Sequence, residues 1–448
     1  MAACFSLPAW FWYAVSAACC LLAMGTKETA AVVPLVLLWC DRALLAGSWR
    51  EVVRRRGFLH GPLLAVLIGG IAYVVLNQAW YAGGGILAYD KVSPAEYAQS
   101  QPGVILHYLR LAFWPAGQCL DYGWPVARTA WQIVPSLLVV GVLLGLTVWA
   151  AWRRPALGFW GGWFFLFLAP TSSFAPIIDL AFEHRMYLPL AAVAVLVVLG
   201  FRWLTEQALR PSRWVVRERL AFRAAVLGAA IVALMVVTHR RNEVYRSEVA
   251  AWLDVVAKAP HHARAHINLG GLLVGHGRWD EAIHHCRVGL QLGGDEQAKA
   301  HNNLGMALGK TGDTSNAILH LERAIDLAPR EPEAYLNLGN LVRATDQARA
   351  MHLYRDAIRL KPYYGEAHNN LANLLQHTAP TEAEVHYRRA LTHNARHVEA
   401  HNGLANLLAR QGRLDEAVAH YRSALAIDPT FELARRNLAI VLRNKERD

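Results

Sequence analysis

His266-Ile-Asn-Leu-Gly270, His301-Asn-Asn-Leu-Gly305, Tyr335-Leu-Asn-Leu-Gly339, His368-Asn-Asn-Leu-Ala372 and His401-Asn-Gly-Leu-Ala405 are five versions of one phrase. Their leucines stand at 269, 304, 338, 371 and 404, and Leu438 extends the series, so the spacings are 35, 34, 33, 33 and 34 residues. A small residue and, four positions on, an apolar or aromatic one follow the phrase, most clearly in Ala282/Cys286, Ala317/Leu321 and Ala417/Tyr421. Prolines close units at Pro329, Pro362 and Pro429. A period of this length marks stacked supersecondary units, none of which buries its apolar faces alone.

A helix–turn–helix unit with this Leu-Gly…Ala…Pro pattern resembles the tetratricopeptide repeat. The resemblance implies five such repeats over 263–431, a capping helix over 432–448 and a linker over 241–262 that holds a half-repeat around Trp252. The third and fourth units are each a residue short around Thr345-Asp346 and Ala379-Pro380, which predicts a local distortion at those turns. His266, His301, His368 and His401 share the position where Tyr or Trp commonly packs. Successive copies stand about 10 Å apart in stacked helices, too far for a shared zinc with ligands near 2.1 Å, so no metal is assigned. Asn268, Asn303, Asn337, Asn370 and Asn437 share the position before the repeat leucine, interrupted by Gly403. Stacking would align them as a ladder of amides, each a donor and an acceptor. Such a ladder suits the backbone of a bound polypeptide, and it equally suits hydrogen bonding between repeats.

The residues before the array have another composition. Residues 1–240 carry 19 Lys+Arg, 10 Asp+Glu and 14 of the 16 Trp; the remainder carries 26 Lys+Arg, 24 Asp+Glu and 16 of the 20 His. The net charge of +11 therefore divides as +9 and +2. A first half so poor in charge excludes a simple soluble enzyme, a disulfide-rich module and a disordered chain. Apolar stretches near 8–24, 29–46, 60–80, 132–152, 156–174, 186–204 and 222–239 predict about seven transmembrane helices over 1–240, partnered by membrane lipids. The basic excess sits between them, at Arg50 and Arg54–Arg56, at Arg153-Arg154 and from Arg202 to Arg223. That placement orients membrane helices and argues against a nucleic-acid partner. With these clusters in the cytoplasm, the N-terminus lies inside and 240–448 outside, and the piece 104–117 is an interfacial or re-entrant helix. The fold class expected is all-α: a multi-pass membrane domain followed by an α-solenoid.

Three segments then hold polar groups at the outer face: Lys27-Glu28, residues 81–131, and Ala169–Ser173 followed by Glu183-His184-Arg185. Ionisable groups at membrane depth point to function, although a local ion pair or an interfacial anchor explains each one taken singly. Gly25-Thr-Lys-Glu28, Gln101–Leu111, Leu120-Asp-Tyr-Gly-Trp-Pro125, Leu168-Ala-Pro-Thr-Ser-Ser173 and Phe182-Glu-His-Arg-Met-Tyr-Leu-Pro189 resemble bacterial relatives of the transmembrane and tetratricopeptide repeat-containing O-mannosyltransferases, of the GT-C glycosyltransferase superfamily. The resemblance implies an integral membrane protein, in a bacterial inner membrane, with extracytoplasmic repeats that bind or present a protein acceptor. It implies a polyprenyl-phosphate-linked sugar donor and, for a catalytic member, a divalent metal. Lys27, Glu28, Glu183, His184 and Arg185 become candidates for binding the lipid phosphate, Arg through its bidentate fork. The family's acidic motif lies in a first long outside loop, where this chain has only the turn around Gly25–Glu28. The pattern thus implies a chain that begins part-way through the family's, and no catalytic base is assigned. The alternative reading is a non-catalytic, membrane-anchored repeat scaffold.

Overall fold

The computed structural model describes residues 32–46, 48–81, 92–172, 180–181, 183–209 and 216–445. Its described residues are helical or loop throughout and divide into two compact units, Met1–Pro260 and His261–Asp448.

In the first unit, α1 (Val33–Cys40) runs into a π-helical turn, Asp41–Ala46. Then come α2 (Trp49–Tyr81), α3 (Pro94–Phe113), α4 (Ala130–Arg153) and α5 (Pro155–Leu168). A 3₁₀ turn (Glu183–Met186) leads into α6 (Tyr187–Ala208), followed by α7 (Val216–Val244) and α8 (Glu248–Lys258). Among the described residues, α4, α6 and α7 are long and apolar enough to cross a membrane. Of the seven stretches expected, 8–24 lies outside the described residues. Helix α5 has 14 residues, about 21 Å of rise, shorter than a hydrocarbon core of about 30 Å. Helix α7 buries none of its 29 residues within the chain, as a helix does whose apolar surface meets lipid. The segment expected to lie in the interface falls in α3. A capping box starts that helix, Ser93 Oγ accepting from Glu96 N while Glu96 accepts from Ser93 N. Pro102 breaks no pattern visible in the burial, because Tyr97, Gln101, Val104, Ile105, Tyr108 and Leu111 all turn inward. Helix α8 caps on Ser247 and is tied to the end of α7 by Arg241–Asp254 at 2.6 Å. Lys258 also reaches the carbonyl of Gln118, so the half-repeat around Trp252 belongs structurally to the first unit.

The second unit is five helix pairs and a last helix. The pairs are α9–α10 (Ala263–Gly275, Trp279–Leu292), α11–α12 (Gln297–Thr311, Thr314–Leu327), α13–α14 (Pro332–Val342, Gln347–Leu360), α15–α16 (Gly365–Leu375, Pro380–His393) and α17–α18 (Val398–Arg410, Leu414–Ile427). Helix α19 (Glu432–Lys445) covers the end. The repeat leucines 269, 304, 338, 371 and 404 are all buried. The residue after each is small because the second helix crosses there: a Cβ on Gly270 would stand 2.5 Å from Cys286 Sγ, and one on Gly339 2.7 Å from the Tyr354 ring. The two short units lose their residue from the first helix, since α13 and α15 have 11 residues where α9 and α17 have 13. The other three units turn on a left-handed glycine, Gly277, Gly312 or Gly412; the short ones turn through Arg343–Asp346 and Gln376–Ala379.

Candidate functional site

Arg185 is 5 % exposed, on the 3₁₀ turn that feeds α6. Its Nη1 donates to the carbonyls of Leu180 (2.9 Å) and Thr171 (3.2 Å) and reaches Tyr97 Oη at 3.4 Å. Tyr97 Oη itself donates to Thr171 O at 2.7 Å. A guanidinium with five fixed donors is suited to gathering converging carbonyls, and here it closes the chain between Thr171 and Leu180. Gln101, one turn along α3 from Tyr97, approaches Leu180 O through Nε2 (3.5 Å) and leaves a buried Oε1 without a partner. Beside it the loop 119–127 folds onto α3. Gly123 N donates to the buried Asp121 carboxylate, and Ala127 N to Ser100 Oγ. His107 is enclosed by Tyr122 edge-on at 4.7 Å and Trp124 at 4.8 Å. Burial, then the charge of Arg110, pushes its pKa down to about 4, so the ring is neutral at pH 7, and its buried Nε2 has no partner.

Segments distant in sequence thus meet. Val104, Tyr108, Leu168 and Met186 are buried in one apolar cluster, and Tyr122, Trp124 and Leu180 pack on its side. Of the predicted lipid-phosphate set, Arg185 adjoins this cluster through its hydrogen bond to the carbonyl of Leu180. Glu183 and His184 share its 3₁₀ turn, but their side chains lie outside the described residues, as do Lys27 and Glu28 entirely. Among the described residues no three His, Cys, Asp or Glu side chains converge, so none is assigned to a divalent metal.

On the repeats the amides do meet across units, and their pattern departs from a plain ladder. Asn337 Nδ2 donates to Asn302 Oδ1 (2.9 Å), Asn370 to Asn340 (2.7 Å) and Asn437 to Asn406 (2.9 Å). Asn303 is buried against Gly271 and donates to Ile267 O, so it faces the preceding repeat and not an open surface. Asn268 accepts from Lys299. Gly403 interrupts the series because a Cβ there would stand 2.5 Å from the Tyr387 ring.

The sequence reading missed a second row, two positions beyond the repeat leucine. Asn340, Asn373 and Asn406 each accept a hydrogen bond from a buried tyrosine of their own repeat, Tyr354 (2.8 Å), Tyr387 (2.6 Å) and Tyr421 (2.5 Å). The signal was present: where the second helix carries Cys286 or Leu321 in place of tyrosine, the first helix carries Gly271 or Met306. With Oδ1 held by a phenol, each of these amides keeps its two N–H donors for whatever lies over the first helices.

The shared histidines are paired too. His266, His301, His368 and His401 each meet a histidine of the second helix, His285, His320, His386 and His420, with Nδ1–Nδ1 distances of 3.0, 2.8, 2.8 and 3.0 Å. His368 Nε2 bonds Pro362 O at 3.1 Å, in the manner of Tyr335 Oη donating to Pro329 O. That donor fixes the tautomer: His368 Nδ1 is the acceptor and His386 Nδ1–H the donor. Burial first, then the partner ring, lowers the pKa of His285 and of His386 to about 4.

These features define a helical membrane protein with a polar cluster beside its spans and a tetratricopeptide-repeat array whose first helices carry amide donors. The family model described as tetratricopeptide repeat matches residues 244–296, 302–365 and 373–430. Over 296 residues, 60 % of the chain, the sequence is 28 % identical to protein O-mannosyl-transferase TMTC1 of Mus musculus, covering 30 % of that protein. It is 26 % identical over 212 residues to protein O-mannosyl-transferase Tmtc3 of Drosophila melanogaster, covering 22 % of it. The matched stretch therefore spans less than a third of either relative. Among solved structures, a thermophilic tetratricopeptide-repeat protein of Thermus thermophilus matches 40 % of the chain and 98 % of its own, at 26 % identity and a TM-score of 0.34.

Proposed function

We propose that the chain serves a GT-C-type glycosyltransferase reaction at the outer face of a membrane, with its repeats holding the polypeptide acceptor. The observation that carries this reading is the meeting of Val104, Tyr108, Tyr122, Trp124, Leu168 and Met186 in one cluster, with Arg185 bonded to Thr171 O beside it; these residues come from the segments that resemble O-mannosyltransferases. The sugar donor would be a polyprenyl-phosphate sugar, displaced at its anomeric carbon with inversion and with the lipid phosphate as leaving group. Arg185, held by carbonyl oxygens, supplies a fixed positive charge beside that site. Glu183 and His184 on the same turn, with Lys27-Glu28, complete the candidate set for the phosphate. No residue is assigned as the base.

The acceptor reading rests on Asn340, Asn373 and Asn406. Donors in register every 33 residues suit the carbonyls of an extended polypeptide whatever its side chains, at a net gain of about 0.5–1.5 kcal/mol per bond. The test is sugar transfer from a polyprenyl-phosphate donor to extracytoplasmic polypeptides in membranes holding the full chain. Transfer that needs both the donor and an intact Arg185 supports the enzyme. Polypeptide binding with no transfer would leave the membrane-anchored scaffold.

A further inference from the structure

A cavity of about 730 Å³ lies between the π-helical turn, the start of α2 and the last turns of α4, walled by Arg42, Trp49, Trp149 and Trp152 with small residues of α4 between them. It shares no residue with the cluster around Val104 and Met186, nor with the described partners of Arg185. Arg42 lines the cavity, and its guanidinium carbon stands 6.0 Å from the Trp49 ring centre. Among the described residues the lining holds a guanidinium and three indoles and no carboxylate, so the cavity suits an anionic occupant.

Its position identifies the occupant. Helix α4 is one of the three helices among the described residues that are able to span a membrane. Its last turns expose Trp149 and Trp152 and end in Arg153-Arg154, while α2 begins with the exposed Trp49 and Arg50. Indoles and arginines crowded at the end of an apolar helix mark the depth of lipid headgroups. We propose that this cavity binds the headgroup phosphate of an anionic phospholipid. The Arg42 fork takes the phosphate oxygens, the three indoles flank the glycerol region, and Gly145 and Ala151 leave α4 low enough for the chains to continue along it.

The test uses the full chain in nanodiscs of phosphatidylcholine with and without phosphatidylglycerol, with retained lipids counted by native mass spectrometry. The parent should keep phosphatidylglycerol over phosphatidylcholine. Arg42→Gln should reduce that preference about tenfold or more, the loss expected for a charge-assisted bond, and Arg42→Lys should fall between, since it keeps the charge but not the fork. A second readout needs no folded Arg42 variant: headgroup-spin-labelled phosphatidylglycerol should quench tryptophan emission more than the phosphatidylcholine analogue, and Trp149→Phe should shrink the difference. Equal retention of both lipids, an unchanged preference in Arg42→Gln, or equal quenching by both analogues overturns the proposal. Displacement of the lipid by inorganic phosphate at matched concentration overturns it too, by making the cavity a free-phosphate site.

Discussion

Lowering the pH should loosen the repeats, and the histidine pairs set the window. In the fourth repeat His386 Nδ1–H donates to His368 Nδ1 across 2.8 Å, while His368 Nε2 donates to Pro362 O. A first proton can enter on His386 Nε2, which faces Glu382 at 3.8 Å. A second would have to sit on His368 Nδ1, against the partner's N–H, and would end the bond. The folded pair therefore binds fewer protons than the unfolded chain, in which each ring titrates near 6.5. Because the folded pKa is lowered, the stabilisation is fully present above pH 6.5 and is lost as the pH falls from there to about 4, the value to which His386 is pushed by burial and by His368. That difference is worth about 3 kcal/mol for a fully buried ring, and solvent near half-buried rings reduces it to about 1–2 kcal/mol. His285 is lowered to the same value, so these two pairs alone remove about 2–4 kcal/mol from an array whose total is on the order of 10. The control is written in the protein. The third repeat carries Tyr335 and Leu353 at these positions, so His368→Tyr with His386→Leu imports a pair that does not titrate. Hydrogen–deuterium exchange of α15 and α16 in the full chain, corrected for intrinsic rates, should show protection falling between pH 6.5 and 4.5 in the parent and much less in the double variant. The same loss of protection in both chains would refute the reasoning.

Asn340, Asn373 and Asn406 changed together to Ala should weaken polypeptide binding by about 1.5–4.5 kcal/mol in a fluorescence titration of the full chain, whereas Asn303→Ala should chiefly lower thermal stability, because its amide is buried. Tyr387→Phe removes the hydrogen bond to Asn373 and should cost about 1 kcal/mol, read as a small drop in melting temperature. Gly403→Asn, which fills the gap in the amide series by sequence, should destabilise the fifth repeat by about 1–3 kcal/mol, since its Cβ would enter the Tyr387 ring; an unchanged melt would show that the ring moves aside. Arg185→Ala should abolish sugar transfer and release the carbonyls of Thr171 and Leu180, an increase in limited proteolysis between them marking the structural part of the loss.

Period and composition decide this architecture from sequence alone, for a physical reason. A solenoid repeats its contacts every 34 residues or so, so the leucines, the small residues after them and the turn glycines recur in the same register as the packing they make. Apolar length decides membrane helices in the same local way, and α4, α6 and α7 are legible from it. What depends on two helices meeting is not legible locally. The Asn row at 268, 303, 337, 370 and 437 looked like one surface, yet packing buries Asn303 and turns Asn337, Asn370 and Asn437 toward their neighbours. The donors left facing outward belong to Asn340, Asn373 and Asn406, selected by tyrosines 14 or 15 residues away. Likewise each histidine of the phrase has its partner 18 or 19 residues on, across the turn. Arg185 is the clearest case: its sequence neighbours announce charge at a membrane face, but only packing brings Tyr97 of α3 and the carbonyls of Thr171 and Leu180 to its guanidinium. Sequence determined which elements form, because that is settled within a few turns of backbone; tertiary structure decided which polar groups remain unspent, because a hydrogen bond uses up donors and acceptors from both of its ends.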